Sequence, residues 1–185
     1  MRYDSETEET TNHVGTLPGQ HLLGPTYDPA SQALVSGTSF ISDCESATPV
    51  HDRTFAVLVD PETLEILAQV AGPEDRDSLM NVGPLGDGTW LFRCESELYV
   101  FRPDDARLEA FGSLPPSTGG IEPSQEGVFV VQEGDAFFLW HPLKDEKLLI
   151  ARQDSETVNA WWTHPGSLCF DCGKHTAWIQ DSRLA

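Results

Sequence analysis

Short apolar runs separated by polar turns fill most of the chain. Residues 89–114, "TWLFRCESELYVFRPDDARLEAFGSL", contain an apolar run, a tight polar turn, a second apolar run, a turn at "PDDAR" and a weaker alternating run. Residues 128–151 repeat this order, and residues 33–70 repeat it with a long insertion in the first turn. Short runs with period-two alternation are typical of β-strands. Because no long stretch has helical periodicity, the pattern predicts an all-β protein.

One more short run precedes each of these units and also opens a fourth unit near the C-terminus, at residues 21–28, 78–85, 119–126 and 158–164. Each unit therefore has four strands, named A to D in chain order. Strands that are apolar on both faces suit sheets that stack against one another, as the sheets of a β-propeller do. We expect an all-β propeller of four-stranded antiparallel blades, either four blades or four consecutive blades of a larger propeller.

The two ends of the chain carry complementary parts of this unit. The segment 3–14, "YDSETEETTNHV", aligns with 60–70, so that residues 10–17 correspond to a strand D without its A, B and C. The last unit, 158–185, has A, B and C but almost no D. We predict a single domain over 1–185 whose last blade combines 158–185 with strand 10–17, which would remove two open sheet edges. The alternative is that the chain is a piece of a longer propeller.

The phrases "LYVFRPDDARLEAFGSLP" and "FAVLVDPETLEI" resemble the C-turn-D segments of bacterial propellers of the gluconolactonase-like, virginiamycin-lyase-like and quinoprotein-like kind. This resemblance implies a propeller fold whose functional residues lie on loops at one face and near the axis. It does not imply one activity, because these families include metal-dependent lactonases, lyases and non-catalytic binding modules. No motif allows a functional residue of these families to be carried over to this chain.

The charge of the chain restricts its partners. There are 30 acidic residues against 11 basic ones, a formal net charge of −19. Such a field repels phosphate backbones and anionic lipid, so we expect neither nucleic acid nor membrane as a partner. No apolar run approaches the roughly 18 residues of a spanning helix, and the first residues lack the apolar stretch of a signal peptide. If Met1 is the true start, these features predict a cytoplasmic protein.

The insertion "SDCESATPVHDR", residues 42–53, is the strongest candidate for a functional loop. Long loops on a compact scaffold are costly to order unless they serve a function. In a propeller this B–C connection emerges on the same face as the D–A connections. The loop should therefore approach the other charged side chains of that face. The candidate ligand-binding residues are His21, Asp43, His51, Asp52, Arg53, Asp75 and Arg76. The alternative is a solvated loop whose Asp52 and Arg53 pair only with each other or with water.

Two further groups of residues have a functional and a structural interpretation. Cys169 and Cys172, followed by His175, look like half of a zinc site, but no second Cys-x-x-Cys is present, and we favour buried reduced thiols over a metal site. The adjacent Trp161 and Trp162 could form a platform for a sugar. Because tryptophans between propeller blades normally belong to the core, we favour a core position for them.

These observations predict a non-catalytic propeller scaffold that binds a small molecule, a saccharide or a partner protein. A homo-oligomer is also compatible with the open strand edges. No cofactor is predicted, although the candidate residues could ligate a divalent cation. The alternative is a metal-dependent propeller hydrolase or lyase that acts on a small or carbohydrate substrate. Its divalent ion would be held by carboxylates together with His21 or His51.

Overall fold

The computed structural model describes most of the chain, namely residues 2–3, 6–8, 10–11, 17, 19–40, 53–115, 118–123, 127–152, 159–164, 167–171 and 176–180. The described elements are antiparallel β-strands, apart from a short 3-10 helix at Pro142–Lys144. The protein is therefore all-β, as the alternating pattern predicts. Its contacts divide the chain into two compact units. Unit 1 comprises residues 1–81, 92–95 and 101–109, and unit 2 comprises residues 82–91, 96–100 and 110–185.

The N-terminal residues form a two-stranded hairpin. Strand β1 (Arg2–Tyr3) pairs with β2 (Thr10–Thr11), and Tyr3 lies opposite Thr10. Residues 10–17 are predicted to be a strand D without a strand C, but the structure pairs Thr10–Thr11 with Arg2–Tyr3. Residues 12–16 lie outside the described residues, so the predicted addition of 10–17 to the last sheet stays a prediction.

The first four-stranded sheet runs in chain order through β3 (His21–Asp28), β4 (Ala33–Ser39), β5 (Phe55–Val59) and β6 (Ile66–Ala71). Strand β3 has the bounds predicted for the first strand A. It is largely exposed, whereas β4 and β5 are mostly buried and β6 alternates between half-buried and exposed positions. The burial is therefore greatest in the two middle strands, which have sheet neighbours on both sides.

The core of this sheet includes a residue that precedes it in the chain. Val57 and Val59 on β5 are fully buried, and Leu17 packs with them at 8% exposure. Half-buried side chains, among them Leu22 and Phe55, surround these three residues. Leu17 thus fixes the chain segment that leads into β3 against the face of the sheet.

The second sheet consists of β7 (Met80–Pro84), β8 (Trp90–Cys94), β9 (Glu97–Arg102) and β10 (Arg107–Ser113), again in chain order. Consecutive residues of β8 are buried, which requires that both faces of the strand are covered. The apolar run in this segment therefore forms a doubly covered strand, as the sequence pattern predicts.

The third sheet consists of β11 (Thr118–Pro123), β12 (Phe129–Glu133), β13 (Ala136–His141) and β14 (Glu146–Arg152). The last described sheet has three strands: β15 (Asn159–His164), β16 (Ser167–Asp171) and β17 (Thr176–Gln180). Each of these sheets is a meander in which neighbours in the chain are neighbours in the sheet. The predicted order A to D is confirmed for the three four-stranded sheets.

The core of unit 2 is an apolar cluster that contains Leu91, Leu114, Phe129 and Trp140. The rings of Phe129 and Trp140 lie 6.2 Å apart, centroid to centroid, in a tilted arrangement. Trp140 is 7% exposed and Trp90 3% exposed. Trp90 and Trp140 are therefore core residues, while the side chains of Trp161 and Trp162, for which a core position is predicted, lie outside the described residues.

The turns between the third and fourth strands of the first three sheets share a proline and a left-handed residue. In each, a proline is followed three residues later by a residue with positive φ: Pro61 and Leu64 (58°), Pro103 and Ala106 (46°), Pro142 and Asp145 (52°). Proline pre-sets the first turn residue, and the left-handed residue reverses the chain into the next strand. Local turn chemistry therefore sets this hairpin in each sheet.

Candidate functional site

Three chain segments that are distant in sequence meet at one end of the first sheet, which we name the insertion end. It comprises residues 19–21, which lead into β3, residues 53–54, which precede β5, and residues 72–78, which follow β6. Residues 41–52, which include Asp43, His51 and Asp52 of the predicted site, lie outside the described residues. The described residues on either side of that segment, Phe40 and Arg53, belong to the same end of the sheet.

Arg53 is bonded to both of the other segments. Its backbone oxygen accepts a hydrogen bond of 2.5 Å from Nε2 of Gln20. Its guanidinium forms an ion pair with Glu74, with 2.7 Å between Nη2 and Oε1. Both side chains of the pair are substantially exposed, at 45% and 78%. An exposed pair contributes only about 0–1 kcal/mol to stability, so these charges are accessible without being essential to the fold.

The two residues that precede the 41–52 segment are also held at this end. The hydroxyl of Ser39 and the amide of Phe40 donate to the backbone oxygen of Asp77, at 2.9 and 3.2 Å. Ser39 and Ser78 form an isolated antiparallel bridge. The chain therefore enters and leaves the insertion at positions fixed against the connection from β6 to β7.

The remaining predicted residues lie on the same three segments. His21 begins β3 and is paired opposite Ser39, with its side chain exposed. Asp75 is exposed in the turn after β6, with φ of 55°. Arg76 approaches Glu95, at 3.6 Å between Nη1 and Oε2. The structure thus brings His21, Arg53, Asp75 and Arg76 to one end of the sheet.

Two buried polar groups lie beside Arg53 that the sequence did not indicate as part of a site. Thr54 is fully buried, and its hydroxyl has no hydrogen-bond partner in the described part of the chain. The side-chain oxygen of Gln20 is likewise buried and unpartnered there. Gly72 lies directly against Thr54, because its amide donates to the Thr54 backbone oxygen at 2.8 Å. Only the position of Gln20 next to Gly19 in a turn-like phrase could have indicated its role.

The structure gives partial information on the predicted metal ligands. Within the described ranges, no three His, Cys, Asp or Glu side chains lie close enough together to hold a metal ion. Cys169 is a buried thiol on β16, while Cys172 and His175 are outside those ranges. A divalent ion at the insertion end would need residues such as His51, so that alternative stays a prediction.

In the described part of the chain, no helix is long and apolar enough to cross a bilayer.

Comparisons with known proteins give similarity of fold without a family. No protein-family model matches the chain, and no curated protein matches it. The extracellular domain of a putative one-component system, BT4673 from B. thetaiotaomicron, is similar with a TM-score of 0.50 and 8% identity over 89% of this chain and 29% of that chain. KlHsv2 with its loop 6CD replaced by a Gly-Ser linker gives a TM-score of 0.49 and 12% identity over 88% of this chain and 50% of that chain. This chain thus spans half of the KlHsv2 chain and less than a third of the BT4673 chain.

Proposed function

We propose that the chain forms consecutive blades of a β-propeller and works as a non-catalytic scaffold whose insertion end binds a saccharide or a partner protein. The repeated four-stranded meander and its recurrent third turn support the propeller. The hairpin β1–β2 adds support, because Tyr3 pairs with Thr10 as Val59 pairs with Ile66, each across seven positions (3 to 10, 59 to 66).

The observation that carries the binding proposal is the convergence on Arg53. Gln20 and Glu74 reach Arg53 across 33 and 21 positions of sequence. Loops that are positioned by a rigid sheet are where binding residues concentrate in proteins. Phe40 and Arg53, which flank residues 41–52, are hydrogen-bonded to neighbouring segments of this end, so the described part of the site is held in place before a ligand binds.

Of a saccharide and a partner protein, the chemistry of the insertion end favours the saccharide, because it is rich in hydroxyl groups. The buried hydroxyl of Thr54 and the side-chain oxygen of Gln20 lack partners in the described residues. A buried polar group without a partner costs about 1–3 kcal/mol, and a ligand hydroxyl or a bridging water would recover part of that cost. A sugar hydroxyl both donates and accepts, so it suits an amide oxygen as well as a threonine hydroxyl.

The proposal is tested with a glycan array probed by the fluorescently labelled full chain. A variant in which Asn-Gly replaces residues 42–52 should lose binding to the glycans that the wild type retains. The exposed-turn variant Asp104→Ala is the control and should bind like the wild type. If no glycan binds the wild type, a saccharide ligand is excluded. If the shortened variant binds unchanged, the insertion end is not the site.

A further inference from the structure

The outer strand of the third sheet, β14, is an open edge with an apolar centre. It is the last strand in the order β11-β12-β13-β14, and no described strand pairs with its other side. Its sequence is "EKLLIAR". Leu148 and Leu149 are each 46% exposed, and Leu143 in the preceding turn is 49% exposed. Such an edge offers both unpaired backbone groups and apolar side chains to another strand.

The charges on β14 stand at its two ends and have opposite sign. Glu146 begins the strand, is exposed, and forms no ion pair with another described residue. Arg152 ends the strand and pairs with Asp135 at 3.1 Å, with 62% of its side chain exposed. Lys147, the other cation of the strand, already pairs with Glu133 of its own sheet. The strand therefore has, at one end, an exposed anion without an ion-pair partner among the described residues and, at the other end, an exposed cation that already pairs with Asp135 of its own sheet.

This arrangement is complementary to itself when the strand is reversed. If two copies of β14 lie antiparallel with Leu149 opposite Leu149, then Glu146 of each copy faces Arg152 of the other. Leu148 then faces Ile150. Opposite charges across a strand pair stabilise it, and like charges destabilise it. Apolar residues fill the centre of the pair and two ion pairs close its ends.

The fourth strands of the first two sheets lack this property. Strand β6, "ILAQVA", carries no charge. On β10 the charged residues Arg107 and Glu109 pair with each other, at 2.7 Å between Nη2 and Oε1. Glu109 also approaches Arg102 at 3.4 Å. The charges of β10 are thus compensated within the sheet, and only β14 among these three strands combines exposed leucines with opposite charges at separate ends.

We propose that β14 is a self-association surface, on which a second copy of this chain adds its own β14 as an antiparallel neighbour. A bulge leaves Ile150 without an opposite residue on β13, because Phe137 pairs with Ala151 and Phe138 with Leu149. A bulge increases the local twist. Glutamate and arginine side chains are long enough to reach a partner on the diagonal, so the bulge does not prevent the charge pairing. This surface is separate from the insertion end and does not depend on the proposed binding function.

The test is sedimentation equilibrium of the full chain over about 1–200 μM at 0.15 M salt, where the Debye length is about 8 Å. The wild type should show a monomer–dimer equilibrium. Glu146→Arg and Arg152→Glu should each weaken the dimer about tenfold or more, because the two-fold symmetry places each altered pair in the interface twice. The double variant keeps the formal net charge of −19 and should regain most of the affinity that each single variant loses, the remainder being lost with the Arg152–Asp135 pair.

Asp104→Arg is the matched control. It makes the same charge change as Glu146→Arg in an exposed turn away from β14 and should leave the dimer unchanged. Thermal melts of all variants verify that the fold is retained. A wild type that is monomeric over the whole range overturns the proposal. A dimer that both single variants leave intact, or that the double variant fails to restore, also overturns it.

Discussion

The side-chain amide of Asn81 donates a hydrogen bond to the backbone oxygen of Val35, at 3.0 Å across 46 positions of sequence. The same nitrogen donates to the backbone oxygen of Gly24 at 2.9 Å and approaches the hydroxyl of Thr26 at 3.3 Å. Asn81 lies on β7 and is 4% exposed, while its three acceptors lie on β3 and β4. One buried amide therefore joins the second sheet to the first within unit 1.

We expect Asn81→Leu to destabilise the protein by about 2–4 kcal/mol. The substitution removes the donor from buried carbonyl groups, and each buried group left unpaired costs about 1–3 kcal/mol. Asn81→Asp should cost at least as much, because it places a carboxylate against carbonyl oxygens. Urea unfolding followed by tryptophan fluorescence measures the loss. Gln69→Leu, at an exposed amide on β6, is the control. A loss below about 0.5 kcal/mol for Asn81→Leu would show that this contact does not hold the sheets.

Gly37 on β4 lies close to the backbone of Leu79, which precedes β7 within unit 1. A Cβ atom at Gly37 would lie 1.8 Å from the backbone oxygen of Leu79, which cannot move without shifting the chain before β7. Gly37→Ala should therefore cost about 3 kcal/mol. Gly112→Ala should be neutral or stabilise by up to about 1 kcal/mol, since nothing lies within 4 Å of the added atom. Equal effects of the two variants in thermal melts would contradict the close approach.

The left-handed residue of the third turn is a site where glycine should stabilise. Ala106 has φ of 46°, and a non-glycine residue in this region costs about 1–2 kcal/mol. We expect Ala106→Gly to raise the free energy of unfolding by up to about 1 kcal/mol after the entropy cost of glycine is subtracted. Ala110→Gly, at an exposed position on β10, should instead lower it by about 0.5–1 kcal/mol. Destabilisation by both variants to the same extent would exclude the proposed turn geometry.

The carboxylate of Asp60 should titrate below its ordinary value. Its Oδ1 atom accepts hydrogen bonds from the amides of Thr63 and Glu62, both at 2.8 Å, and these bonds lower the pKa of Asp60 from 3.8. Because the folded pKa is lowered, the turn gains stability above pH 3.8 and loses it as the pH falls through the folded pKa.

An NMR titration of the Asp60 carboxyl measures this shift. The midpoint should lie below 3.8 in the folded chain and return to 3.8 in urea. Asp60→Asn keeps an acceptor for the two amides but cannot ionise, so it should remove the contribution of Asp60 to the acid dependence of stability without opening the turn. A folded midpoint at or above 3.8 would contradict the role of these hydrogen bonds.

The sequence predicted the strands well, whereas the binding site stays a prediction. Strand β3 has its predicted bounds, and Arg53 meets the connection after β6 as the expected loop arrangement required. The contacts of Gln20, Thr54 and Glu74 were not predicted, because they depend on segments that are distant in the sequence. The sequence also predicted that residues 10–17 form a strand D without its C, whereas the structure pairs Thr10–Thr11 with Arg2–Tyr3.

The amino-acid sequence by itself determined the strands and the turns between them. Alternation of apolar side chains selects a strand, and a proline followed by a left-handed residue closes a hairpin, since both effects act between near neighbours in the chain. The tertiary structure alone decided that Asn81 would bind Val35 and that Gln20 would bind Arg53. Contacts of this kind depend on the register and stacking of whole sheets, so they arise only when the distant strands have packed.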